Sequence, residues 1–207
     1  MKNTTNRFAW FVFAVLALAI GLYPLVYLFA DREFGLLASK SDALLSNVIW
    51  NIGFYGHIML GGLALLVGWI QFNKKFRNAN LKRHRIIGKT YVIAVLISGT
   101  CGIYIGLYAT GGIISSLGFI SLGTVWLFTT IKAYLAIRSN DLELHQGLMI
   151  YSYAACFAAV TLRIWLPTLT FAFGDFTIAY RIVSWLCWVP NIIFAYFWVR
   201  RRGLLLG

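Results

Sequence analysis

Six stretches of this chain are apolar almost throughout: Phe8 to Ala30, Val48 to Phe72, Ile86 to Ala109, Ile113 to Ile137, Gly147 to Pro167 and Phe176 to Val199. Each is close to the ~20 residues that carry a helix across a hydrocarbon core of ~30 Å. In lipid a backbone satisfies its own N–H and C=O groups only as a helix or a closed barrel, and runs this long and continuous belong to helices. The sequence therefore predicts an all-α integral membrane bundle of six transmembrane helices, with residues 1–207 forming a single transmembrane domain. The longest connections, 31–47 and 73–85, are too short to fold alone. Lys2, Arg7 and the Ala17-Leu18-Ala19 triplet have the look of a signal peptide. The apolar run nevertheless continues to Ala30, beyond the roughly 7–15 residues of a signal core, and is read as an anchor.

Only 12% of the residues are charged, so where each charge falls is informative. Fourteen basic residues flank one set of span ends: Lys2, Arg7, the seven between Lys74 and Lys89, Lys132, Arg138 and Arg200 to Arg202. Arg32, Lys40, Arg163 and Arg181 belong to the other side. The positive-inside rule then places both termini in the cytoplasm. The net charge of +12 is spread beside spans rather than on a separate basic domain, which argues against nucleic acid. Anionic lipid head groups account for it, at about 1 kcal/mol per basic residue near the surface. Cys101, Cys156 and Cys187 all lie inside spans with no CxxC pair, and are expected to pack as small buried hydrophobes.

Small residues recur at helix-contact spacing. Gly53, His57, Gly61, Ala64 and Gly68 follow one stripe of the second span, and Ser98, Gly102 and Gly106 one stripe of the third. Such stripes let helix backbones approach closely, so spans two to five are predicted to form the core, with one and six peripheral. Pro24 and Pro190 are expected to kink their spans.

Ionisable residues at membrane depth are costly and point to function. His57 stands 17 residues before Lys74, about 25 Å from the inner boundary at a rise of ~1.5 Å per residue. Arg163 stands 18 residues after His145, about 27 Å from the same boundary. The two are level. They could hold a shared acceptor such as a quinone carbonyl, a haem propionate or a lipid phosphate. In the ligand-free alternative, Arg163 snorkels outward beside Trp165 and His57 bonds a backbone carbonyl. At the inner ends of spans three and five, His84 and His145 are candidate axial ligands for one b-type haem, with Lys82, Arg83 and Arg85 placed for propionates. The same cluster would hold lipid phosphates, and a histidine at an interfacial helix start needs no ligand. Three convergent metal ligands are excluded by depth, since His57 is about 25 Å from the other two along the membrane normal. Asp141 and Glu143 are expected to stand in a solvated turn, the alternatives being that they cap the fifth helix or pair with Arg138.

His57 to Gly62 (HIMLGG), Gly68 with Gln71-Phe72, His84-Arg85 followed by Gly88 and Tyr91, His145, and Tyr151 to Arg163 (YSYAACFAAVTLR) together resemble the bacterial membrane proteins grouped as domain of unknown function 2306. The resemblance covers about residues 50–168. It implies a multi-span protein of the bacterial cytoplasmic membrane without an established activity. Its motif residues fall here on His57, Gly61, Gly62, Gln71, His84, Arg85, Gly88, His145 and Arg163, which adds Gln71 to the candidate ligand site of His57 and Arg163. Gln146 stands where the family pattern has a basic residue. The layout also looks loosely like cytochrome b561-type electron carriers, although three histidines allow at most one bis-histidine haem. The leading expectation is membrane redox chemistry, with haem at His84 and His145 and a quinone or anionic head group at His57 and Arg163. The alternatives are a transporter or lipid-binding protein without a redox cofactor, and a structural subunit of a membrane complex.

Overall fold

The computed structural model describes residues 2–204, with side chains from Arg7 onward, so the side chain of Lys2 lies outside the described residues. Six helical segments are long and apolar enough to cross a membrane. The first is α1 (Lys2–Leu22), continued by the 3-10 turn Tyr23–Leu28. Pro24 lacks the N–H that would prolong the α-helical ladder, and the chain tightens there. A loop bearing the short α2 (Asp42–Leu45) leads into α3 (Val48–Gly68), which ends in a 3-10 turn over Trp69–Phe72. The connecting α4 (Lys74–Ala79) precedes α5 (Leu81–Gly106) and α6 (Ile113–Arg138), the third and fourth spans. Span five is α7 (Leu142–Cys156) followed by α8 (Ala158–Phe173), and span six is α9 (Phe176–Leu186) followed by α10 (Val189–Arg201).

Side-chain caps fix where these helices begin. Asn47 accepts from the Trp50 N–H at 3.0 Å, Asn80 from Arg83 at 2.9 Å, Asp141 from Leu144 at 3.0 Å and Asp175 from Ile178 at 2.8 Å. Each satisfies one of the orphan donors of a first turn. Because Asn80 and Asp141 lie six residues before the apolar runs of spans three and five, His84 and His145 sit in the first turns of α5 and α7 rather than outside them. Asp141 takes the capping role rather than standing in the solvated turn expected of it.

The core matches the small-residue stripes. α3 packs on α5, α5 on α6, α6 on α7, and α3 meets α7 to close a four-helix ring. α1 lies outside against α3, while α9 and α10 lie against α6, α8 and α7. Within the ring a hydrogen-bond circuit ties spans three, four and five. The Trp126 Nε1 donates to Tyr91 OH at 3.3 Å, Tyr91 OH pairs with Ser152 Oγ at 2.8 Å, and Ser152 pairs with Thr130 Oγ1 at 2.6 Å. Thr130 Oγ1 then donates to the Trp126 carbonyl at 2.7 Å. The donors run in one direction and end where they began, so all four buried side chains are satisfied.

The last two spans both break near mid-membrane. Pro190 produces the break between Leu186 and Val189, as its missing N–H predicts. The break at Phe157 carries no proline or glycine and is not legible in the sequence. The two are stitched together: Thr161 Oγ1 donates to the Cys187 carbonyl, and Asn191 Nδ2 donates to the same carbonyl at 3.0 Å and to the Ala154 carbonyl at 3.3 Å. Carbonyls released by the interruptions are thereby re-satisfied within the protein, as lipid surroundings require.

A side chain at Gly62 would lie 2.6 Å from the Gly21 carbonyl oxygen and 2.9 Å from Pro24, so Gly62→Ala must push span one away. Overpacking of this kind costs about 1–3 kcal/mol, and the detergent-solubilised variant should melt several degrees below the wild type. Gly88→Ala, with nothing within 4 Å of the added carbon, should leave the melting temperature in place.

Candidate functional site

α3 and α5 meet as a zipper of small and large residues. Side chains added at Gly53, Gly56 and Gly61 would strike Tyr104, Cys101 and Ser98 at 2.9, 3.2 and 3.0 Å, and one added at Gly102 would strike the His57 ring at 2.7 Å from Nδ1. His57 is one tooth of this seam. Its Nδ1 lies 2.9 Å from the Ser98 carbonyl oxygen, an acceptor only, so Nδ1 carries the proton. Ser98 Oγ donates to the His57 carbonyl at 2.8 Å and locks the pair further. That assignment leaves Nε2 as an acceptor, without a partner among the described residues.

The His57 ring lines a cavity of about 970 Å³ to which all six spans contribute, in the half of the bundle away from the termini. The volume lies at the upper end of the range for small-molecule and cofactor sites, which are mostly apolar with a few placed polar groups. Leu65, Leu122, Trp126 and Cys156 line it toward mid-membrane, and Arg163 lines the same space as His57. Arg163 does not run out to the interface beside Trp165. Its guanidinium lies over the Tyr23 ring at 4.5 Å, and Nη1 donates to the Ala159 carbonyl at 2.9 Å. Nε is enclosed with no hydrogen-bond partner. Among the described residues two cations, Arg163 and Lys40, line the cavity and no carboxylate does. Trp50, 1% exposed and also in the wall, holds its indole N–H enclosed and unpartnered.

The level expected for His57 and Arg163 is therefore what the bundle builds, and His57 also makes the backbone hydrogen bond of the ligand-free alternative. Gln71 is separated from them. It stands in the 3-10 turn at the other end of span two, is not in the cavity wall, and has both amide atoms enclosed without partners.

His84, Arg85 and His145 lie at the opposite end of the bundle. His84 is near enough to Arg77, His145 and Arg85 for their charges to act on its ring. His145 Nδ1 lies 2.8 Å from the Ala133 carbonyl and donates to it, leaving Nε2 available. The Nδ1 of His84 is enclosed and unpartnered. Gly88, one turn inward on α5, has nothing within 4 Å of where a side chain would project.

Sequence reasoning misses four contributors. Tyr23 and Tyr27 stand one turn apart around Pro24, a spacing that could have marked a shared face, whereas Trp50 reads as an ordinary interfacial tryptophan. Lys40 sits in a polar loop with no local signal. Its Nζ donates to the Tyr108 carbonyl at 2.6 Å and to Thr110 Oγ1 at 3.0 Å, and Ser39 Oγ pairs with the same threonine at 3.0 Å. These bonds dock the loop over the cavity, where burial lowers the Lys40 ammonium from 10.5 to about 8.

A family model described as a predicted membrane protein, DUF2306, matches residues 54–199. The chain belongs to this family. The DUF2306 match begins inside span two and continues through span six, further than the motif-bearing stretch at 50–168. It includes His57, Gln71, His84, Arg85, His145 and Arg163 and leaves out span one with Tyr23 and Tyr27, as well as Lys40 and Trp50. No curated protein and no solved structure matches the chain. The loose likeness to cytochrome b561-type carriers is not supported by these comparisons.

The Lys40 dock has a definite pH dependence. An undocked loop keeps its proton up to about 10.5, whereas the docked lysine releases it near 8. The undocked form therefore binds more protons between those values, and docking strengthens as pH rises through that window. The melting temperature of the wild type should accordingly gain on that of Lys40→Met between pH 7.5 and 10, as read by differential scanning in buffers of constant ionic strength.

Proposed function

We propose that this DUF2306 protein binds a membrane amphiphile, a quinone or an anionic lipid-like molecule, with its polar head between His57 and Arg163 and its apolar body toward Leu65 and Trp126. The observation that carries the reading is a guanidinium without a counter-ion, facing a largely apolar cavity of about 970 Å³ beside an imidazole whose acceptor nitrogen is free. A buried cation is expensive unless something pairs with it, and a ligand oxygen supplies the partner that the chain lacks. Arg163 would donate to a quinone carbonyl or an ionised oxygen, and His57 Nε2 would accept from the head group when that carries a proton, as a quinol or a carboxylic acid does. The charge asymmetry supports placing both termini in the cytoplasm, with the protein in the bacterial cytoplasmic membrane and its basic rim against anionic lipids.

One observation favours a second site. His145 donates Nδ1–H to a backbone carbonyl, the arrangement that orients an imidazole for ligation through Nε2. The donor set fits a single b-type haem held by His84 and His145, with Arg85 toward a propionate. Such a group, when bound, supplies one-electron transfer. An absorption spectrum of purified protein should then show Soret and α bands that His84→Ala abolishes; a colourless preparation made with haem supplied rejects this second site alone.

For the cavity itself, thermal-shift titration with a short-chain ubiquinone and with palmitate should raise the melting temperature for at least one of them. Arg163→Ala should weaken that response about tenfold or more, in line with the roughly 1.5–3 kcal/mol of a hydrogen bond to a charged group. Gly102→Ala, which displaces the His57 ring, should also weaken it. No response to either probe counts against the reading.

A further inference from the structure

The cavity has two sides through which a ligand could pass, and they are built differently. Its end toward the aqueous phase is covered by the loop that Lys40 and Ser39 fasten to Tyr108 and Thr110. Beneath that loop, Tyr27, Leu37, Leu45, Trp50 and Phe54 form a buried cluster of their own. The flank between the first span and α8 has no such cover. On one wall stand Ile20, Tyr23 and Pro24, and on the other Arg163, Pro167 and Phe171. Positions 163, 167 and 171 recur every four residues, so they form one stripe of α8. Pro167 and Phe171 line the cavity and are also exposed on the outer surface of the bundle, Phe171 by 93%. The same stripe thus faces the cavity and the outside of the bundle, at the level of the outer leaflet's head groups and the hydrocarbon just below them.

Both walls of this seam can yield. The α1 side is a 3-10 turn, whose hydrogen bonds have poorer geometry than those of an α-helix. The α8 side begins at the break beside Phe157 and contains Pro167, which removes one hydrogen bond of the ladder. Between them the Arg163 guanidinium over the Tyr23 ring forms a bridge at 4.5 Å. A head group that draws Arg163 away from Tyr23 opens the bridge as it binds.

We infer that the cavity is loaded sideways from the adjoining leaflet, through the seam between Tyr23–Leu28 and α8, and that its ligand is a bilayer-dissolved amphiphile rather than a water-soluble solute. The inference rests on the binding reading above and specifies how that site is reached.

Two photoreactive carboxylates with the same head group but different partitioning test it: diazirine-bearing palmitate and the water-soluble azipentanoate, each added to the full chain in lipid nanodiscs. Adducts are mapped by peptide mass spectrometry. The palmitate probe should label Leu122 and Trp126 at the cavity floor, and azipentanoate should not. Thr170→Trp, which fills the seam without touching His57 or Arg163, should lower floor adducts several-fold while adducts on lipid-facing Ile131 and Leu135 stay constant. Ile20→Trp, on the other wall, makes the same test if Thr170→Trp fails to fold. Floor labelling by azipentanoate equal to that by palmitate, or floor labelling unchanged in a folded seam variant, overturns side entry and leaves the binding reading standing. Absence of floor labelling by both probes overturns the binding reading itself.

Discussion

The close approach of α3 and α5 is the constraint on which the rest depends. Glycines on each helix receive larger residues of the other, so the two backbones are held at a separation that no larger residue would permit. In a bilayer the helices gain little from hiding apolar surface from one another, and contact of this kind replaces the hydrophobic effect as the source of cohesion. It also fixes chemistry. His57 can donate to the Ser98 carbonyl only because Gly102 leaves room for its ring, and the proton position that results determines what the imidazole can offer a ligand. Had the seam been built of leucines, the histidine could not lie flat against its neighbour.

Polar groups in the bundle divide into two sorts. Tyr91, Ser152, Thr130, Trp126, Thr161 and Asn191 have partners inside the protein and serve to join spans. The enclosed atoms without partners fall mainly in two places: Arg163 and Trp50 around the cavity, and His84 and Gln71 toward the basic face. Ser115, enclosed near Gly111 and Arg181, belongs to neither group, and nothing in the structure explains it. An unsatisfied polar atom in a low-dielectric setting is expensive. The clustering of these atoms beside residues already singled out by their charge is why the two places, rather than the buried circuit, carry the functional argument.

The number of spans, the four-helix core and the common level of His57 and Arg163 were legible from the sequence, because length, small-residue spacing and rise per residue are properties of single helices. What escaped depends on two elements meeting. The interruption at Phe157 has no local cause, since Asn191 of another span takes up the carbonyl it frees. Lys40 looked like an ordinary loop lysine until the loop was placed across Tyr108 and Thr110. Gln71 was grouped with His57 through family motifs, which record that residues matter together without saying how far apart they stand. Its position in the turn after Gly68 separates the two. The early starts of α5 and α7 reflect Asn80 and Asp141, whose capping outweighs the polarity of the residues that follow.

The closed circuit at Trp126 divides the bundle into two polar regions. It lies on α5 and α7 two turns inward from His84 and His145, and Trp126 itself lies in the cavity wall. Each hydroxyl in the loop both gives and receives within it, so none has a donor left to pass a proton onward. Val95 and Leu65, fully buried around it, offer no foothold for water. The cavity and the basic cluster at His84 and His145 are thus separated by packed side chains and a closed circuit of hydrogen bonds.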